Sequence, residues 1–282
     1  MIYVLLSVVC SVLVSVLLKL ARRAGVDVGQ AVAWNYATAG VLAAATLRPP
    51  LAPLWRPGAP WLALAGLGVL LPTIFLALGA SVRHAGIVRS DAAQRLSLLI
   101  SLLAAFALFG ERLDAVKAAG CALGLLAMAG MVWRAQPAGA AGRMAGWGYP
   151  LLVLAGFGAI DILFKRVAAA AEVPLGSALL AMFALSLAVA FGIALARRAR
   201  FTWRSLGGGV LLGLCNFGNI LFYLRAHRAL PHDPALVFAS MNLGAVALGA
   251  LAGLLLFRER LSRTNLAALG LALLAVGLLT HG

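Results

Sequence analysis

The sequence predicts an all-α polytopic membrane protein, with ten transmembrane helices arranged as two inverted five-helix repeats. Three observations carry this expectation. The 282 residues are 63% hydrophobic and only 11% charged, whereas a water-soluble domain runs near half apolar and a quarter charged. The mean hydropathy is +1.02. The apolar residues gather in ten runs of about 20, the length that crosses roughly 30 Å of hydrocarbon. A stretch of the first half also recurs in the second at a fixed offset.

The first run, residues 1–20, reads MIYVLLSVVCSVLVSVLLKL. It has no charged leading region and no small-residue cleavage site, and its positive charges follow it, so it reads as a spanning helix rather than a removable signal. Runs at 29–47, 60–80, 86–109 and 113–133 complete the first half. Runs at 148–168, 175–196, 206–226, 234–257 and 262–280 form the second. The breaks ARRAGVD, RPPLAPLWRPGAP, RAQPAGAAGRMAG, RRARFTWRS and LPHDP are short and rich in Arg, Pro and Gly, as connections are. Runs of this length without alternation are helical rather than barrel strands.

The repeat is legible in FGERLDAVKAAGCALGLLAMAGMV (109–132) and FRERLSRTNLAALGLALLAVGLLT (257–280), which match at nine of 24 positions at an offset of 148. Alanine and leucine matches are cheap in this composition; the specific part is F-x-E-R-L, placed each time between two runs. An offset of 146 sets Lys19 on Lys165, and 148 sets Gln94 on Asn242. The expected division is a first repeat over 1–134, a connection over 135–147 and a second repeat over 148–282. Five spans per repeat is odd, so the second repeat enters the membrane in the opposite sense, an architecture that places solute sites near the midplane and alternates access by rocking.

Several function classes are excluded or disfavoured. The net charge of +15 is dispersed between apolar runs, where juxtamembrane arginines belong, so the expected partner is the lipid bilayer and not nucleic acid. Cys10, Cys121 and Cys215 lack metal-ligand spacing. The histidines, His84, His227, His232 and His281, form no H-E-x-x-H pattern, and no cofactor is expected. No phosphate-binding loop is present, which argues against direct ATP drive. An intramembrane enzyme needs a nucleophile with a base or paired acids, and a scaffold leaves deep charges unexplained. Lys and Arg number 14 at the odd-numbered connections and 8 at the even-numbered ones, which places both termini outside. Monomer and homodimer both stay open.

Ten spans in two halves, with F-G-E-R-L and F-R-E-R-L opening the fifth and tenth, resemble the drug/metabolite transporter superfamily, EamA type. The opening run followed by QAVAWNYATAG resembles its EamA/RhaT-like branch. The resemblance covers essentially the whole chain. It implies secondary transport of a small metabolite or drug across a bacterial inner membrane, with both termini in the cytoplasm, against the charge count. It implies no particular solute.

The candidate site residues are the polar groups inside the runs. Arg95 sits near the centre of its run, where a charge costs about 2.5–3.5 kcal/mol on insertion scales and usually faces the bundle interior. Either it is a static salt bridge with Asp91, one turn earlier, or its guanidinium faces a water-filled cavity and binds an acidic solute group. Asp161 in FGAIDILFKR is the candidate for a coupling proton, with Asp91 beside it as a second. Lys165 shares a helix face with Asp161; it and Lys19 either snorkel to the interface or face solute. Asn216, Asn219 and Tyr223 share one face at i, i+3 and i+7. Trp34, Asn35, Gln94 and Asn242 complete the substrate-binding set, and amides at such positions also serve simply to bridge helices. Glu111 and Glu259 read as structural acids at helix N-termini. The expected function is therefore a secondary active transporter of a small polar, acidic metabolite. The alternative is a broad exporter of hydrophobic or cationic drugs, with a cavity dominated by Trp34, Tyr36, Phe217 and Tyr223.

Overall fold

The computed structural model describes residues 2–21, 23–97, 100, 115–133, 143–170, 172–199, 201–229, 234–258 and 263–281. Among these there is no strand, and ten α-helices follow in order: α1 (Ile2–Ala21), α2 (Val28–Leu47), α3 (Trp61–Ala85), α4 (Ile87–Leu96), α5 (Ala115–Trp133), α6 (Arg143–Ala169), α7 (Leu175–Ala196), α8 (Trp203–Ala229), α9 (Pro234–Phe257) and α10 (Arg263–His281). Nine of the apolar runs each correspond to one described helix; of the fourth, 86–109, α4 covers Ile87–Leu96. Among the described residues, α1, α3, α7 and the Trp203–Ala226 part of α8 are long and apolar enough to cross a bilayer, and shorter apolar stretches lie in α6, α9 and α10. Leu254, Leu255 and Leu256 are all exposed, as are Leu62, Leu266 and Leu274. Side chains of this kind suit a lipid-facing surface rather than a watery one.

Several boundaries differ from expectation; α8, for one, runs three residues beyond 206–226 at each end. The third run was expected to end at residue 80, but α3 continues to Ala85 and turns on Gly86 (φ 90°) directly into α4. The positive φ ends the helix at a glycine, where it carries no Cβ penalty. Ser81 and Ser90 hydroxyls 2.7 Å apart tie the two sides of this joint. Helix α6 begins upstream of the expected 148, at Arg143. Glu111 and Glu259, and the part of the fourth run at 98–99 and 101–109, lie outside the described residues.

The helices form two compact units. The first comprises Met1–Lys19, Ala77–Gly158 and Gly218–Gly282; the second comprises Leu20–Leu76 and Ala159–Phe217. In the first unit α5 packs along α10, and α4 packs on α9. Helices α5 and α10 each have 19 residues, and their starts lie 148 apart, the offset of the sequence repeat. Alanines make the close approach possible: Ala127, Ala268 and Ala272 meet Ala92 and Leu96. A second cluster joins Val4 and Val8 to Ala226 and Met241.

In the second unit α2 packs on α7. Asp27 caps α2, accepting from Gln30 N at 2.9 Å, which satisfies one of the free N–H groups of the first turn. Helix α8 approaches α2 through glycines. A Cβ at Gly209 would overlap Trp34 Cβ and approach Ala31 O at 2.7 Å, while one at Gly207 meets nothing within 4 Å. Gly209→Ala is therefore expected to cost about 1–3 kcal/mol through overpacking. Gly207→Ala is expected to leave stability unchanged or improve it slightly, by helix propensity. Thermal melts of the two purified variants check this contrast.

Candidate functional site

In the first unit the polar groups organise around one ridge of α1. Ser7, Ser11, Ser15 and Lys19 recur every four residues, a spacing that keeps them on one side of a helix. Ser7 Oγ lies 2.7 Å from Asn219 Oδ1 and 2.8 Å from the Asn219 carbonyl. Arg95 Nη2 donates to Ser11 Oγ at 2.8 Å. Ser15 Oγ donates to Asp91 Oδ1, also at 2.8 Å. Lys19 Nζ sits over the Phe257 ring, 4.7 Å from its centroid, a cation–π arrangement.

Asp91 and Arg95 occupy consecutive turns of α4 and so share a face. Asp91 is 4% exposed, and an acid so deep needs donors around it. Its carboxylate lies hard against α9: a Cβ built on Gly249 would collide with Asp91 Oδ2. Glycine at 249 is thus what admits the acid. Arg95 is half-buried, and one of its guanidinium nitrogens reaches the Ser11 hydroxyl. Gln94 is half-buried too, and its backbone carbonyl accepts from Ser97 Oγ at 2.7 Å. Tyr223 packs against the apolar Val4–Val8–Ala226–Met241 cluster.

The second unit carries a separate polar set. Asn216 Nδ2 donates to Asn35 Oδ1 at 3.2 Å, bridging α8 and α2. Trp34 meets Phe191 edge-on, with centroids 5.2 Å apart. Tyr36 stands between Phe75 and Phe183, 6.2 Å from each centroid. Asp161 is half-buried on α6. Of the three residues expected on one face of α8, Asn216 belongs to the second unit, whereas Asn219 and Tyr223 belong to the first. The side chains of Lys165 and Asn242 lie outside the described residues.

The sequence alone does not single out Ser7, Ser11, Ser15 or Ser186, and Gly249, in GALAG, reads there only as a mark of close helix packing. Serine is nearly neutral in a hydropathy scan, so its presence did not interrupt the first run. The four-residue spacing in phase with Lys19 was the available signal. Among the described residues, no three of His, Cys, Asp and Glu gather as a metal site.

Several helices apolar and long enough to cross a bilayer are those of a multi-pass membrane protein, and comparison with known proteins gives its family. Residues 1–133 match the EamA-like transporter family. An uncharacterized protein of Haemophilus influenzae is 39% identical over 266 residues, which cover 92% of this chain and 90% of that one. A protein of known crystal structure shares the fold, with a TM-score of 0.61 at 20% identity, over 98% of this chain and 95% of its own. The chain belongs to the EamA-like transporter family, within the drug/metabolite transporter superfamily.

Proposed function

We propose that the protein is a secondary active transporter that moves a small polar metabolite bearing an acidic group across the bacterial inner membrane. It works by alternating access, coupled to protons or to exchange. The observation that carries the reading is the bond between Arg95 and Ser11. A carboxylate or phosphate grips two guanidinium N–H groups at once and so competes with the single bond to a hydroxyl.

In this reading Arg95 anchors the acidic group. Gln94, Asn219, Tyr223 and Asn242, and separately Asn35, Asn216 and Trp34, recognise the rest of the solute. Lys19 and Lys165 complement its charge. Asp161 takes up the coupling proton, and Asp91 is the second acid. The ten helices act as two inverted five-span repeats. The packing of α2 on α7, α4 on α9 and α5 on α10 supports this, since each contact pairs a helix with its counterpart five later.

A thermal-shift panel of organic acids, amino acids, sugars, nucleobases and cationic drugs on the purified protein tests the solute class. A ligand stabilises by RT ln(1 + [L]/Kd), about 2.7 kcal/mol at a hundredfold excess over Kd. Stabilisation by acids is the expected result. Stabilisation only by hydrophobic or cationic compounds would move the reading to a broad exporter.

A further inference from the structure

The contact of α2 with α7 holds three polar atoms that have no hydrogen-bond partner among the described residues: Asn35 Nδ2, Tyr36 Oη and Ser186 Oγ. Asn35 and Ser186 are 0% exposed and Tyr36 is 1% exposed. The helix register sets them at one level. A Cβ at Gly40 would lie 3.9 Å from Phe183 Cβ, and the Trp34 ring meets that of Phe191. Counting up α2 therefore runs down α7, and Ser186 falls opposite residues 36–38. The Asn35 amide is oriented by Asn216, which occupies its oxygen and leaves the N–H₂ side for another partner. The Tyr36 ring is fixed between Phe75 and Phe183.

Buried polar groups in folded proteins are almost always hydrogen-bonded, and each exception calls for an explanation. Packing does not supply one here. Phenylalanine and alanine offer nearly the same shapes as Tyr36 and Ser186 and leave no hydroxyl to satisfy. All three groups are able to donate: an amide N–H, a phenol and an alcohol. Their common complement is an acceptor oxygen.

We propose that Asn35, Tyr36 and Ser186 form a recognition site for carbonyl or carboxylate oxygens of the transported solute, closed in this structure and open to water in another conformation of the cycle. The proposal rests on the transporter reading above, but on none of the roles given there to Arg95, Asp91 or Asp161.

Two measurements on the full chain in detergent decide it. In a background with Cys10, Cys121 and Cys215 replaced by alanine, Ser186→Cys is treated with a charged methanethiosulfonate reagent. Ser177→Cys serves as the control. Ser177 lies on the same helix and is equally buried, but its hydroxyl donates to Pro50 O at 2.6 Å. The thiol of Ser186→Cys is expected to react roughly tenfold faster or more, because that site opens while the control stays packed. In the cysteine-containing protein without added solute, Tyr36→Phe and Ser186→Ala are expected to keep the melting temperature or raise it by roughly 2–4 °C, since each removes an unsatisfied buried hydroxyl. Protection of Ser186→Cys equal to that of Ser177→Cys, or a melting temperature lowered in either hydroxyl variant, overturns the site. If the thiol reacts and organic acids slow its modification, the site and the acidic-solute reading both stand. If it reacts while no organic acid stabilises the protein or slows modification, the solute class falls and the donor site remains.

Discussion

Arg95→Ala is expected to fold, to insert, and to lose roughly ten- to 150-fold in apparent affinity for acidic solutes. The magnitude follows from removing charge-assisted hydrogen bonds worth about 1.5–3 kcal/mol. Folding should survive because Ser11, which accepts from Arg95, is a hydroxyl that rotates to find another partner. Arg95→Lys should fall between wild type and alanine: it keeps the positive charge but loses the planar fork that grips two oxygens at once. Uncharged amide analogues of the same solutes should bind the wild type and Arg95→Ala about equally. Concentration dependence of solute exchange in proteoliposomes separates these outcomes. Equal affinity for acids in the wild type and Arg95→Ala would reduce Arg95 to a tie between α4 and α1.

The sequence exposes most of the helical layout because hydrophobic length is a property of single segments. Nine apolar runs each correspond to one described helix, and the alanine-rich repeat at 109–132 and 257–280 predicts the equal lengths and spacing of α5 and α10. The boundaries are less legible where local stereochemistry outweighs hydropathy. Arg83 and His84 look like loop residues, yet α3 carries them to Ala85, because Gly86 provides the break. The site was legible in its charges and hidden in its hydroxyls. Arg95 and Asp91 stand out by their insertion cost, but the groups that hold them, Ser11 and Ser15, merge into an apolar run. Gly249 is a further step removed. Its segment, GALAG, announces close packing, but that the neighbour is a carboxylate from α4 is a tertiary contact that the segment does not specify. The pairing of Asn35 with Asn216 is of the same kind, since any of several intramembrane amides is able to bridge helices.

Asp161→Asn is expected to abolish uphill accumulation driven by a proton gradient while leaving solute counterflow at close to the wild-type rate. The substitution keeps shape and polarity but removes the titrating group, so the transporter still cycles with solute bound and no longer carries a proton. The two candidate acids differ in how a proton reaches them. Asp91 is 4% exposed, accepts from Ser15 and is wedged against Gly249. Asp161 is half-buried, which suits a group that must load and unload on each turnover. The repeat points the same way. The offset of 146 that sets Lys19 on Lys165 also sets Ser15 on Asp161, so the second half carries a titratable acid where the first carries a hydroxyl. Asp91→Asn should then behave as a packing change: Ser15 still finds an oxygen to donate to, the melting temperature falls, and accumulation persists in the protein that remains folded. Accumulation and counterflow measured side by side in proteoliposomes distinguish the two acids. If Asp91→Asn loses accumulation and Asp161→Asn keeps it, the proton belongs to Asp91, and the Ser15–Gly249 cradle becomes the coupling site.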